Sequence, residues 1–378
     1  MKILITFGTR PEAIKMAPLF HKLNECNEFQ VFLCVTGQHK EMLYSVLDIF
    51  LIKPDCDLQI MSNSQDLQDV VTLSIKGLKK VIIEFEPDLI LVHGDTSTTM
   101  AASIAGFLNN IPVGHVEAGL RTNDIKSPFP EEFNRRVVSL ASDIHFAPTI
   151  RSKKNLIDES ILSSNIFVTG NTVIDSMFWI LSRIEKNKII KDKVYNSIEE
   201  NLKLNILDSK YILITAHRRE SFGLGFIQIC EAINILANKY PSINFVYPVH
   251  LNPNVQDPVK KYLSDIKNVY LTSPLNYEAF VVLLKSCYLV ITDSGGIQEE
   301  APSLGKPVLV LRDTTERPEA LDAGVVKLVG TDQAFIVSEV SKLIESKEQY
   351  ELMAHASNPY GDGTASSQIV DAIKKRYL

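Results

Sequence analysis

Asp95, Glu117 and Glu131 fall within one stretch, His93 to Arg136, together with Glu132, Arg121, Arg135 and Arg136. The apolar runs Asp88 to Val92 and Ile111 to Val116 read as buried strands. Asp95 and Glu117 therefore sit at or just beyond strand carboxyl ends, where open α/β sheets bind ligands. One carboxylate at such a place is most simply a helix cap or an ion-pair partner. Three together, with arginine nearby, point to acid–base work. Glu131 and Arg135, at i and i+4, share a helix face and either pair with each other or face the site jointly.

Other predicted strand ends carry anion chemistry. In GTRPEAIK (Gly8 to Lys15), Gly8 lets the backbone turn, and Arg10 and Lys15 bring positive charge to a helix N-terminus, so an anion belongs there. Ser294, Gly295 and Gly296 lie between a strand and a helix, where backbone N–H groups and the helix dipole can cradle a diphosphate. Glu299 and Glu300 follow, either accepting ribose hydroxyls or simply suiting the dipole, and Arg312 at the next strand end would complete the clamp. In TAHRRE, His217 beside Arg218 and Arg219 suits phosphate binding or proton donation to a leaving group. Asp55 and Asp57 follow Pro54 in a loop with no evident third ligand, which argues against a metal role. Neither GxGxxG nor GxxxxGK[ST] occurs, so the fingerprints of nicotinamide and P-loop enzymes are missing.

The elements that must position these residues alternate strand and helix almost throughout, the grammar of parallel sheets covered on both faces. The strand signal lapses from Thr172 to Asn205 and resumes at Tyr211. This gives an N-terminal domain at 1–171 and a second at 172–362, with a terminal helix at 363–378 expected to join the first and capped by Thr364, Ser366 or Ser367. The fold class expected is α/β, two Rossmann-like doubly wound domains facing a central cleft. At 378 residues and 22% charged the chain has room for both. A net charge of -6 argues against nucleic-acid binding. Five cysteines without a CxxC suggest reduced thiols in a cytoplasm, and neither a signal peptide nor a membrane-spanning run is apparent.

GTRPEAIK, HGDTSTTMAA, GHVEAGLRT, PFPEEFNRR, TAHRRE, SGGIQEEAPSLGKPVLVLRDTTERPEA and NPYGDG run in order over essentially the whole chain. Together they resemble the non-hydrolysing UDP-N-acetylglucosamine 2-epimerases of bacteria. The resemblance implies the glycosyltransferase-B arrangement, a homodimer, and a UDP-sugar substrate with no cofactor or metal. The implied reaction interconverts UDP-N-acetylglucosamine and UDP-N-acetylmannosamine through UDP elimination and a 2-acetamidoglucal, supplying surface polysaccharides. By motif, Asp95 and Glu117 become acid/base candidates and Glu131 a third carboxylate, with which face of C2 each serves left open. Lys15 joins this catalytic set by its place in the first motif, and His217 and Arg135 assist near diphosphate and sugar. Arg10, Ser294, Gly295, Gly296, Glu300 and Arg312 would hold UDP, with Phe280 walling the uracil pocket. Some relatives bind a second substrate molecule near residues like Gln38 and His250. Here Glu41 replaces a glutamine, and Ser64 stands near the expected arginine. The rival readings are a hydrolysing 2-epimerase and a glycosyltransferase of the same fold.

Overall fold

The computed structural model describes residues 1–38, 40–62, 65–202, 205 and 208–378, so Ser64 lies outside the described residues. Two compact units form: Met1–Phe178 with Tyr360–Leu378, and Trp179–Pro359. Unit 1 holds strands β1 (Lys2–Phe7), β2 (Gln30–Val35), β3 (Cys56–Asp57), β4 (Leu89–His93), β5 (Val113–Val116), β6 (Ile144–Ala147) and β7 (Ile166–Val168). Unit 2 holds β8 (Tyr211–Thr215), β9 (Asn244–Pro248), β10 (Val269–Thr272), β11 (Leu289–Thr292), β12 (Val308–Val310) and β13 (Val326–Leu328). The strand pairs in both sheets are parallel. Each unit is thus the doubly wound α/β sheet that the alternating pattern suggested.

The order in the first sheet is β3-β2-β1-β4-β5-β6-β7, and in the second β10-β9-β8-β11-β12-β13. Each order reverses once, between β1 and β4 and between β8 and β11. Connections leave in opposite directions at such a reversal and open a crevice beyond the strand carboxyl ends. GTRPEAIK and HGDTST flank the first reversal, and TAHRRE and TDSGG the second. The strands there can be almost wholly apolar because helices cover both faces: β4, β8 and β11 are buried along their whole length. Among the described residues no helix is long and apolar enough to cross a membrane.

The structure departs from the sequence reading at two edges of unit 1. Asp55 accepts the Leu33 N–H at 2.8 Å, and Asp57 accepts the Tyr44 hydroxyl at 2.6 Å and the Gln59 N–H at 3.0 Å, so both carboxylates brace the edge strand β3. The terminal helix Ala365–Tyr377 is capped from elsewhere in the chain, not by its own hydroxyls. Asp175, in helix Thr172–Lys186, accepts the N–H groups of Ser366 at 2.7 Å and Ala365 at 3.2 Å. This cap packs the start of helix Thr172–Lys186 with unit 1, and the units divide after Phe178 and Pro359, not at the expected 171 and 362.

His115 on β5 and His145 on β6 are register partners, their ring centroids 6.5 Å apart. His115 Nε2 contacts the Gly94 carbonyl at 2.8 Å. Burial pushes both imidazoles down, His115 to about 3 and His145 to about 4. In the unfolded chain they titrate near 6.5, so below that pH the unfolded state binds more protons. Each histidine then costs about 1.4 kcal/mol of stability per pH unit as pH falls from 6.5 toward the folded value. The urea midpoint should be flat above pH 6.5 and decline between 6.5 and 5, with His145→Gln making the decline shallower. An unchanged slope in that variant would remove His145 from the account.

Candidate active site

Construction of unit 1's site begins at the turn after β1. A Cβ on Gly8 would lie 2.1 Å from Thr36 Oγ1 and 2.7 Å from Thr98 Oγ1, so glycine is required here for room, not for a left-handed turn. One carboxylate of the chain itself, Glu12, sits at the helix start that follows. Glu12 accepts the N–H groups of Gly8 at 3.1 Å and Thr9 at 2.8 Å through one oxygen. Its other oxygen accepts the hydroxyls of Thr96 at 2.7 Å and Thr99 at 2.9 Å. Burial pushes the Glu12 carboxyl up, against the pull of these four donors. Glu12 thereby ties the β1 turn to the β4 turn across the reversal. The sequence reading passed over it, although T-x-x-E ahead of an apolar run is a capping-box signature. Arg10 is half-buried at the first position of helix Arg10–Asn24, which also carries Lys15.

Beyond β4, Asp95 Oδ2 pairs with Arg135 Nη2 at 2.6 Å, and the Asn134 amide donates to the Asp95 carbonyl at 2.8 Å. These contacts pin helix Glu131–Ala141 to the β4 turn. Arg135 also pairs with Glu132 at 3.1 Å, so its partners are Asp95 and Glu132, not Glu131 one turn earlier. Glu131 Oε2 is buried with no hydrogen-bond partner among the described residues. Arg121 and Arg136 are framework: Arg121 grips Glu159 with two nitrogens at 2.7 and 2.6 Å. Arg136 pairs with Glu159 at 3.1 Å and with buried Glu132 at 3.5 Å.

Glu117 follows β5 in the left-handed region, φ +63, a conformation costing a non-glycine residue roughly 1–2 kcal/mol. Gly119 completes the turn at φ +89, where a Cβ would come within 2.2 Å of the Ser152 carbonyl. Glu117 Oε2 accepts from the Lys15 ammonium and from the Asn171 amide, the latter at 2.8 Å. His93 Nε2 faces the same oxygen at 3.8 Å. Burial pushes His93 down to about 4 although Glu117 pulls it up, so the ring beside the carboxylate is neutral. His93 heads the HGDTSTTMAA motif but was given no role there, and Asn171 lies in no quoted motif; only the sheet brings them to Glu117.

In unit 2, helix Gly295–Ser303 has Ser294 as its N-cap. Gly295 and Gly296 therefore occupy the first turn, whose N–H groups have no intrahelical acceptor. The Ser294 N–H is given to Thr292 Oγ1 at 2.8 Å. Of the two acidic residues, Glu299 is committed to Arg317 at 2.6 Å, while Glu300 takes the Tyr277 hydroxyl at 3.0 Å. Arg312 pairs with Glu220 at 2.6 Å and Glu316 at 2.7 Å. Burial raises the Glu316 carboxyl, yet Arg317 and Arg312 outweigh it and hold it down to about 2.

His217 and Arg218 both donate backbone N–H groups to Asp293 Oδ2, and His217 Nδ1 lies 3.6 Å from Asp293 Oδ1. The His217 ring stacks on His250 with centroids 5.2 Å apart. Asp293, which fixes this turn, was another residue the motifs did not single out. His250 Nδ1 accepts the Asn252 N–H at 3.1 Å, and Phe280 is half-buried on helix Tyr277–Ser286. Of the residues expected at a second site, Gln38 accepts from Thr98 at 3.4 Å beside the β1 turn, and Glu41 is exposed in the first turn of helix Lys40–Ile49. Among the described residues no group of three His, Cys, Asp or Glu side chains is placed to hold a metal ion.

The family model described as UDP-N-acetylglucosamine 2-epimerase matches residues 21–374. The chain belongs to the UDP-N-acetylglucosamine 2-epimerase family. It is 54% identical over 374 residues to the UDP-N-acetylglucosamine 2-epimerase of Campylobacter jejuni, covering 99% of this chain and 97% of that protein. Identity to the Escherichia coli K12 enzyme is 53% over 378 residues, covering all of both. Among solved structures, the UDP-GlcNAc 2-epimerase of Neisseria meningitidis bound to UDP-GlcNAc matches with TM-score 0.89 and 52% identity, over all of both chains.

Within this epimerase-family fold, the strained turn places Glu117 one strand from the Asp95–Arg135 pair, because β4 and β5 are neighbours with His93 opposite Val116. The strain itself is testable. Glu117→Gly relieves the left-handed conformation whereas Glu117→Ala keeps it, so the glycine variant should melt higher, by an amount equivalent to about 1 kcal/mol. Equal melting temperatures for the two variants would show that the turn stores no such strain.

Proposed function

We propose that the chain interconverts UDP-N-acetylglucosamine and UDP-N-acetylmannosamine at C2 without a cofactor. The C2 proton is not adjacent to a carbonyl, so direct abstraction faces a high barrier. Elimination lowers it: the C1–O bond to the diphosphate breaks, UDP leaves with the electron pair, a carboxylate takes the C2 proton, and C1=C2 forms. UDP then adds back while a proton is delivered to the opposite face of C2. Such a path needs carboxylates serving two faces and cations for the departing diphosphate.

The observation that carries this reading is Glu117, a strand-end carboxylate gripped by Lys15 one strand from the Asp95–Arg135 pair. On this reading Asp95 and Glu117 handle protons, and half-buried Glu131 offers its unpartnered Oε2 to the sugar. Arg135 and Lys15 set the charge around them. In unit 2, the first turn at Ser294, Gly295 and Gly296 takes the diphosphate, Glu300 the ribose and Phe280 the uracil. His217 and Arg312 complete the polar contacts in unit 2, and Arg10 is the candidate of unit 1 for UDP. Arg317 joins this set, since its guanidinium lies against Gly295. The same reading makes the protein a cytoplasmic homodimer serving surface polysaccharide synthesis, with Gln38, Glu41 and His250 the candidates for activation by a second substrate molecule.

Incubation with UDP-N-acetylglucosamine in deuterated water should give a UDP-linked manno product carrying deuterium at C2. Release of free N-acetylmannosamine would instead mark a hydrolysing enzyme, and turnover only with an added acceptor a transferase. Asp95→Asn and Glu117→Gln should each lower kcat by about 100-fold or more while UDP still binds. Near-normal turnover in either variant would end that residue's assignment.

A further inference from the structure

We infer that Asn171 is the residue that orients the Glu117 carboxylate, and that the C-terminal turn at Tyr360 and Gly361 holds Asn171 in place. This rests on the proposed role of Glu117 in proton transfer.

Asn171 is buried just after β7, and both ends of its amide are used. The Nδ2 donates to Glu117 Oε2 at 2.8 Å, and the Oδ1 accepts the Val173 N–H at 3.1 Å, capping the start of helix Thr172–Lys186. Its backbone N–H donates to the Tyr360 carbonyl at 2.8 Å. The chain crosses itself there with no space for side chains. A Cβ on Gly170, φ +84, would meet the Tyr360 carbonyl at 3.0 Å and Gly361 Cα at 3.4 Å. One on Gly361, φ +108, would meet Gly170 Cα at 3.3 Å. NPYGDG, a motif to which the proposed function gives no role, is thus the far side of the clasp that fixes Asn171.

Lys15 and Asn171 do different things to the same carboxylate. An ammonium on a flexible stem supplies charge with little direction. The terminal torsion of a glutamate is soft, so charge alone leaves the carboxylate plane free to turn. A planar amide fixed at its other end by a helix cap supplies direction. His93 also faces Glu117, and it is neutral.

Two variants of the full chain separate orientation from folding. Asn171→Ser and Asn171→Asp both keep a capping acceptor for the Val173 N–H. Serine is too short to donate to Glu117, and aspartate replaces the donor by a like charge. The serine variant should lose about 10- to 100-fold in kcat, with KM and UDP affinity within about twofold and a near-native melting temperature. The aspartate variant should lose more, with the acidic limb of its kcat profile raised by about one pH unit. A carboxyl 13C titration of Glu117, assigned as the resonance missing in Glu117→Gln, should move upward in Asn171→Asp and less in Asn171→Ser. Because this readout needs no turnover, it decides the inference even where the wild-type chain fails to epimerise, an outcome that removes only the proposed function. Gly361→Ala should reproduce the selective kcat loss from outside the site. An unmoved titration with native kcat in Asn171→Ser overturns the inference, as does a kcat loss matched by equal losses of UDP binding and melting temperature. Native kcat in Gly361→Ala overturns the part assigned to the tail.

Discussion

The contact on which the rest of unit 1 depends is the ion pair of Lys15 with Glu117, joining residues 102 positions apart across β4. A carboxylate this secluded from solvent is costly unless a cation and hydrogen-bond donors meet it. The surrounding structure supplies those conditions. Glu12 fixes the start of the helix on which Lys15 rides, by binding the N–H groups of Gly8 and Thr9. The Glu117–Gly119 turn, left-handed at both ends, bends the chain back at the strand end. Neutral His93 faces the same oxygen without adding a competing charge.

Strand ends were legible in the sequence because the buried strands are short apolar runs and the charged motifs begin where those runs stop. What could not be read was which ends are neighbours. The sequence puts Arg135 one turn from Glu131, yet the sheet sets the β4 turn beside helix Glu131–Ala141, and Asp95 takes the guanidinium instead. An exposed i,i+4 pair contributes only a few tenths of a kcal/mol, so a tertiary partner outbids it easily. The cap of the terminal helix follows the same logic: Thr364, Ser366 and Ser367 were local candidates, but Asp175 presents a full charge to two N–H groups at once.

Residues missed altogether share a property. Glu12, His93, Asn171 and Asp293 act on other residues of the site by holding turns or facing the carboxylate. Their roles reside in contacts between segments far apart in sequence. Of the four, Glu12 alone had a local signature, the capping box, and it was outweighed by the cationic neighbours Arg10 and Lys15 that suggested an external anion.

The glycine pair of unit 2 sharpens the difference between a motif and its cause. Both glycines suggested close approach of a phosphate to backbone. At Gly295 the neighbour is instead a side chain of the same chain: a Cβ would stand 2.5 Å from Arg317 Nη1. At Gly296 the nearest atom is Glu300 Oε2 at 4.0 Å, so that position is open. Arg317 is held there by Glu299, which is 1% exposed, and by Glu316, which it shares with Arg312; the other partner of Arg312, Glu220, is 53% exposed. A cation fixed by a buried partner beside a helix N-terminus needs no rearrangement before it meets an anion, and it adds to the field of the first-turn N–H groups. The absence of a side chain at Gly295 thus leaves room for the Arg317 guanidinium at the helix start.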